Sequence, residues 1–217
     1  MNKSIDAVIF DFGGVITASP FEGINRLEAE RGLPRDLVRR INAANPDNNA
    51  WARLERSEIS LSEFDLAFAE EAAALGHELR GAEVMAVLSG AVRSEMVAAL
   101  DRLKQEGFGL GCITNNMRSS DEPTAGMLDH AELGPIFARF DAVIESAVVG
   151  LRKPDPRIYA MMCEMLGVEA QACVYLDDLG INCKPAAAMG MQAIKVTSGP
   201  QALAELGAVL GMELSPI

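Results

Sequence analysis

Soft-metal and disulfide chemistry have little to work with in this chain. Its four cysteines, Cys112, Cys163, Cys173 and Cys183, form no Cys-x-x-Cys pair, and its two histidines, His77 and His130, stand alone. That spacing excludes the usual Cys/His zinc clusters and predicts reduced, mostly buried thiols. Positive charge is also short: 19 Lys and Arg face 31 Asp and Glu, a formal charge of −12. This balance argues against nucleic-acid binding and against stable membrane association, because either anionic surface repels the chain over most of its area. No apolar run approaches the ~18 residues needed to span a bilayer. The first residues, Met1 to Asp6, lack the charged, apolar and small-residue regions of a signal peptide. The expected compartment is the cytoplasm. Repeats, low-complexity linkers and any signature of an oligomeric state are missing too. His130 reads as a surface or structural residue, and Trp51 fits core packing better than a place at a substrate mouth.

What is present is a core. Apolar residues make up 49% of 217, enough to bury one domain, or one domain with a sizeable insertion, at roughly 150 residues per domain. Residues 7–10, Ala-Val-Ile-Phe, read as a buried strand ending at Asp11. From about 20 to 90 the pattern is helical, with Phe64, Phe68 and Leu75 on one apolar face and Ser62 as its expected N-cap. After residue 92 strands and helices alternate. A helix over 93–106 presents Met96, Val97, Leu100 and Leu103 and stops at Gly107. Strands follow at 110–113, 142–145, 173–176 and 193–196, with helices at 157–166 and 184–189. Met161, Met162 and Met165 read as core filling. Alternation of this kind predicts an α/β fold: a doubly wound, parallel-sheet, Rossmann-like core. The core is expected from residues 1–17 and 92–217, with residues 18–91 inserted after the first strand as a helical cap.

In open α/β sheets, ligands bind beyond the carboxyl ends of the strands. Four expected strand ends and loops carry polar chemistry: Asp11-Phe12-Gly13-Gly14, Thr114-Asn115-Asn116, Arg152-Lys153-Pro154 and Asp177-Asp178-Leu179-Gly180-Ile181-Asn182. Three carboxylates, Asp11, Asp177 and Asp178, repel one another if gathered unaided, by about 4 kcal/mol per pair at 4 Å and an effective dielectric of 20. A hard dication such as Mg²⁺ relieves that repulsion. Lys153 adds a second positive centre, while Thr114 and the amides of Asn115 and Asn116 can donate to an oxyanion. Arg152 reads as a residue that merely solvates the loop. Together the groups make a phosphate clamp, and an aspartate aimed at the clamped phosphorus can attack it.

In their order and context these motifs resemble the haloacid dehalogenase-like hydrolase superfamily, across essentially the whole chain. The segment Leu176–Asn182, with Lys184-Pro185-Ala186 and Gly190-Met191, is most similar to the N-terminal phosphatase domain of soluble epoxide hydrolases. The resemblance implies a Mg²⁺-dependent phosphatase acting on a small phosphorylated substrate. It implies that Asp11 is the nucleophile and a metal ligand, and that Thr114 holds the phosphoryl group with Asn115 beside it. Lys153 neutralises nucleophile and phosphate. Asp178 ligates the metal directly, whereas Asp177 and Asn182 support the metal and lysine from behind. At one position the chain departs from the pattern. The family's phosphatases usually carry a second Asp two residues after the nucleophile, to move the leaving group's proton; here that residue is Gly13. Its carbonyl can still face Mg²⁺, but it transfers no proton, a service worth roughly 10²–10⁴-fold. Two rival readings follow: metal-independent carbon–halogen cleavage by Asp11, and a non-catalytic phospholigand-binding protein.

Overall fold

Four consecutive apolar residues bounded by polar ones sit most favourably where both faces of a strand are covered, and Ala7–Phe10 (β1) is fully buried at the centre of a sheet. In the computed structural model, which describes residues 4–88, 90–116 and 133–214, the other strands are β2 (Gly109–Thr114), β3 (Ala142–Glu145), β4 (Cys173–Asp177) and β5 (Gln192–Lys195). All pair in parallel in the order β3-β2-β1-β4-β5. The chain winds outward from β1 through β2 to β3, then returns to the other side of β1 with β4. This reversal puts the topological switch point between β1 and β4, where such sheets open a crevice. His130 lies outside the described residues.

Helices cover both sheet faces. The first five described helices stand apart from those that cover the sheet: α1 (Pro20–Glu30), α2 (Leu37–Ala44), α3 (Ala50–Glu55), α4 (Leu61–Ala74) and α5 (Gly81–Met85). Then come α6 (Ser94–Gln105), α7 (Gly134–Phe137), α8 (Ser146–Val149), α9 (Pro156–Leu166), α10 (Gly180–Ala188) and α11 (Gly199–Leu210). Met96, Leu100 and Leu103 of α6, with Leu203 and Leu206 of α11, pack on Phe10, Cys112 and Leu176. Ile158 and Met162 of α9, with Ala186 of α10, fill the opposite face against Ile9, Ile113 and Tyr175. Gly107 ends the α6 segment with φ +88°, a conformation glycine adopts without a Cβ clash.

The helices α1–α5 have a core of their own, built on Ile24, Val38, Ile41, Leu54, Phe64 and Phe68. Trp51 packs edge-on against Phe64, with ring centroids 5.8 Å apart. A buried carboxylate organises the start of α2: Glu28 accepts from the amides of Asp36 (2.7 Å) and Val38 (2.9 Å). The two chain crossings between this helical unit and the sheet are paired to each other. Thr17 bridges Val92 antiparallel, the Ala18 amide donates to Ala91 O (2.8 Å), and that of Arg93 to Ile16 O (2.9 Å).

Several local expectations need correction. The N-cap of α4 is Ser60, not Ser62: the Ser60 hydroxyl accepts from the Glu63 amide, and the Glu63 carboxylate accepts from the Ser60 amide. Asp65 stands three residues after Ser62, but its carboxylate is taken by Arg80 and the Ala82 amide, and Ser62 already lies inside the helix. Leu75 is the residue after α4 and is 37% exposed. Met165 is exposed rather than core, since it lies at the edge of the α9 face that buries Ile158, Tyr159, Met162 and Cys163. Helix α10 starts four residues earlier than expected, with Pro185 inside it.

Candidate active site

The parallel register sets the first two carboxylates side by side. Phe10 pairs with Leu176, so Asp11 and Asp177 leave adjacent strands at one level, and the Asp11 amide donates to Leu176 O (2.8 Å). Lys153 reaches both from the loop before α9: its Nζ is 2.7 Å from Asp11 Oδ1 and 2.9 Å from Asp177 Oδ2. All three side chains are buried, with Lys153 only 1% exposed. Burial alone would lower the lysine pKa, yet the flanking carboxylates hold it above the usual lysine range. For Asp11, burial dominates and Asp177 adds to it. Against the pull of Lys153 they push its carboxyl up to about 8.

Asp177 has no spare acceptor capacity. Its Oδ2 takes bonds from Lys153, Tyr175 Oη (2.5 Å) and Asn182 Nδ2 (3.1 Å), and its Oδ1 from the Leu179 amide (2.8 Å) and Asn182. Tyr175 is two residues back on β4 and shares its face, a signal legible in the period of the strand. Asp11 differs. Its Oδ1 accepts from Lys153 and from the Phe12 amide (2.6 Å), while no described residue bonds Oδ2. Asp178, half-buried, takes Ser19 Oγ on its Oδ2 (2.9 Å). Burial raises its carboxyl, Ser19 opposes this, and Asp177 adds to the rise.

One oxygen from each of Asp11, Asp177 and Asp178 lies within 4.8 Å of the others. Three carboxylates against one ammonium leave negative charge for a hard dication, and an all-oxygen donor set fits Mg²⁺. The Asp178 oxygen that no described residue bonds is free to take it, and Asp11 brings a second carboxylate to the same place.

Thr114 ends β2 and is buried beside this cluster, with Phe10 of β1 paired to Cys112 two residues earlier. Asn115 clasps the lysine loop: its Oδ1 accepts from the Lys153 amide (2.9 Å) and its Nδ2 donates to Lys153 O (3.0 Å). Asn116 does not join the oxyanion donors as expected, because its amide is spent on Ser146 Oγ (3.0 Å). Gly13 stands two residues past Asp11, where an added Cβ would meet only Pro20 Cδ, at 3.8 Å. Gly14 has no such latitude. Its φ is +78°, and a Cβ would lie 2.3 Å from Asp178 Oδ2.

Sequence reasoning missed a second polar group beside the lysine loop. Arg152 does not merely solvate the loop; its Nε donates to Glu55 Oε2 (2.6 Å) and its Nη1 to Pro46 O (3.1 Å). Glu55, at the end of α3, is buried and also accepts from Trp51 Nε1 (3.0 Å) and Asn115 Nδ2 (3.4 Å). Burial pushes its carboxyl up, with Arg152 opposing. Arg93 was missed as well; it donates to Gly14 O (2.9 Å) and steadies the loop after Asp11. Nothing in the spacing of these residues announces the contacts.

A doubly wound sheet with buried carboxylates and a lysine at its switch point offers a site suited to an anionic substrate, and the family match makes the chain a hydrolase. The chain belongs to the haloacid dehalogenase-like hydrolase family, whose model matches residues 5–190. It is 31% identical to mouse acyl-CoA dehydrogenase family member 10 and 30% to pig bifunctional epoxide hydrolase 2, covering 98% and 97% of this chain. It spans only 20% and 40% of those proteins' lengths. A phosphatase of Mycobacterium tuberculosis is 30% identical, over 95% of this chain and 97% of its own. Among solved structures, a predicted hydrolase of the same family from Porphyromonas gingivalis superposes with a TM-score of 0.66 at 22% identity, covering 96% and 98% of the two chains. An enzyme from Bacteroides thetaiotaomicron, in complex with magnesium and inorganic phosphate, does so at 0.58 and 18%, covering 90% and 96%. No described helix is long and apolar enough to cross a membrane.

Proposed function

We propose that the chain is a Mg²⁺-dependent phosphatase that hydrolyses a small phosphate ester through an aspartyl-phosphate intermediate. One observation carries the reading: Asp11 is buried with one oxygen pinned by Lys153 and the Phe12 amide, and the other left unbonded by every described residue. A carboxylate so held has a fixed orientation and one free nucleophilic oxygen. The phosphatase among the relatives, similar over nearly its whole length, supports the same class of reaction.

Asp11 Oδ2 attacks phosphorus in line, the ester oxygen departs with the bonding electrons, and water then hydrolyses the acyl phosphate. Thr114 and Asn115 orient the phosphoryl group, and Lys153 offsets charge on its oxygens. Asp11, Asp178 and the carbonyl of Gly13 would hold Mg²⁺, which supplies further charge neutralisation on the phosphoryl oxygens. Asp177, saturated with donors, fixes Lys153, and Asn182 fixes Asp177. Residues 18–91 serve as a cap over a core of residues 1–17 and 92–217; their separate hydrophobic cluster and paired crossings support this division. Cap closure excludes bulk water and supplies the contacts that choose the substrate.

Asp11→Asn tests the proposal. Turnover of a panel of phosphate esters should vanish while the fold survives. Mg²⁺-dependent hydrolysis retained in the pure variant would overturn the nucleophile assignment, and halide release in the presence of chelator would favour carbon–halogen cleavage instead.

A further inference from the structure

Two observations on α3 point past the phosphate clamp. The first is the placement of Glu55. Its Oε2 sits between Arg152 Nε (2.6 Å) and Asn115 Nδ2 (3.4 Å), so one carboxylate from the helical unit touches both loops that carry Thr114 and Lys153. Those loops are already tied together through the Asn115 side chain and the Lys153 backbone. Arg152 extends the contact by reaching Pro46 O, in the stretch between α2 and α3. The Glu55 side chain is only 7% exposed and that of Arg152 21%, so this pair is shielded from the screening that weakens surface ion pairs.

The second observation is the way α3 ends. The Ser57 amide donates to Leu54 O (2.9 Å) and the Glu58 amide to Arg53 O (2.9 Å), with Ser57 in the left-handed region at φ +57°. Glycine is the favoured residue for that position, since a side chain there is strained. Serine holds it, and its Oγ donates to Ala147 O (3.1 Å) across the seam, at α8. The strained residue thus adds a second tie, after Glu55, to the sheet domain.

We propose that Glu55 is a positioning residue: seated between Asn115 and Arg152, it couples closure of the helical unit to alignment of Thr114 and Lys153. The inference rests on the phosphatase reading for its kinetic consequence, but not for its structural one. When the unit swings away, the carboxylate leaves both loops and Ser57 leaves Ala147. The phosphoryl-holding hydroxyl and the lysine then lose their shared support. Catalytic alignment is therefore complete only when the site is covered.

The test uses Glu55→Gln, Glu55→Ala and Ser57→Gly in the full chain, with p-nitrophenyl phosphate and Mg²⁺ as the activity probe. Amide hydrogen exchange of the metal-free protein is the second readout. For the Glu55 variants, kcat should fall about 10- to 100-fold, the scale of a misplacement near 1 Å, with KM little changed. Exchange over residues 114–116 and 151–155 should quicken while β1 stays protected. Ser57→Gly relieves the left-handed strain yet loses the seam bond, so it should fold well and show faster exchange over residues 146–150. It keeps the proposal open to refutation if the Glu55 variants fold poorly. Wild-type kcat with unchanged exchange in both loops would overturn the coupling, as would exchange changes confined to residues 50–59. A wild-type protein that hydrolyses no phosphate ester would overturn the phosphatase reading alone, and the exchange readout would then decide the coupling.

Discussion

Two adjacent glycines divide the labour of the loop after β1. Gly14 is held by its surroundings: Gly14→Ala would place a methyl on Asp178 and force a positive φ on alanine. We expect that variant to lose Mg²⁺ affinity, read by isothermal titration. Gly13 is free of such constraint, so the space beside Asp11 admits a larger side chain. Gly13→Asp should therefore fold normally and restore a proton carrier. The gain in kcat should approach the 10²–10⁴-fold of general acid catalysis for alkyl phosphates, and be slight for aryl phosphates, whose leaving groups need little protonation. Equal gains for both would show that the native enzyme is limited elsewhere. Asp11, Thr114 and Asp178 were legible because each ends or follows a short apolar strand, whereas Lys153 stands in a loop between α8 and α9. Glu55 and Arg152, 97 positions apart, form a pair that only the folded chain creates.

At the scale of elements, legibility followed the strength of the local pattern. Strands β1 to β4 are short, mostly apolar runs closed by polar residues, β5 is a mixed edge strand read from its Ala193-Ile194 pair, and α6 and α9 carry sustained apolar stripes, so all were readable to within a residue or two. The four-residue helices α7 and α8 are too short to establish a period. Helix α11 opens on Gly199-Pro200, which reads as a turn. In place it is a helix start, with Ser198 and Gln201 closing a capping box. The α4 start depends on the Ser60–Glu63 pair. Ser60→Ala should lower stability by about 1 kcal/mol, measured by chemical denaturation. Ser62→Ala, inside the helix, should not, which separates the two candidate caps.

For the whole molecule, the buried carboxylates make stability depend on pH and on metal together. Asp11 is raised from 3.8 to about 8 in the folded, metal-free chain. Between those values the folded chain retains a proton that the unfolded chain has released. The stabilisation is therefore complete below about pH 4 and is lost as pH climbs through about 8. Thermal midpoints in chelator should fall across that window, and Asp11→Asn should flatten the slope. Mg²⁺ competes with the proton, so adding it near neutral pH should release protons to the buffer. At a hundredfold excess over its Kd it should add about 2.7 kcal/mol to stability, removable by chelator. On the phosphatase reading, an acidic chain with a formal charge of −12 would admit a phosphate here once a dication is bound, because the dication and Lys153 together offset the charges of Asp11, Asp177 and Asp178.

The bridge between Thr17 and Val92 has a consequence for modularity. The chain leaves the sheet domain and returns to it through neighbouring backbone positions, and neither sheet-side hydrophobic cluster draws a residue from 20–88. Exchange of the intervening segment for a foreign one then asks only that the replacement's two ends meet. A short turn joining Thr17 to Val92 should give a folded, monodisperse miniature that retains all five strands. Such a splice point lets evolution, or a designer, recombine recognition with chemistry without renegotiating either core.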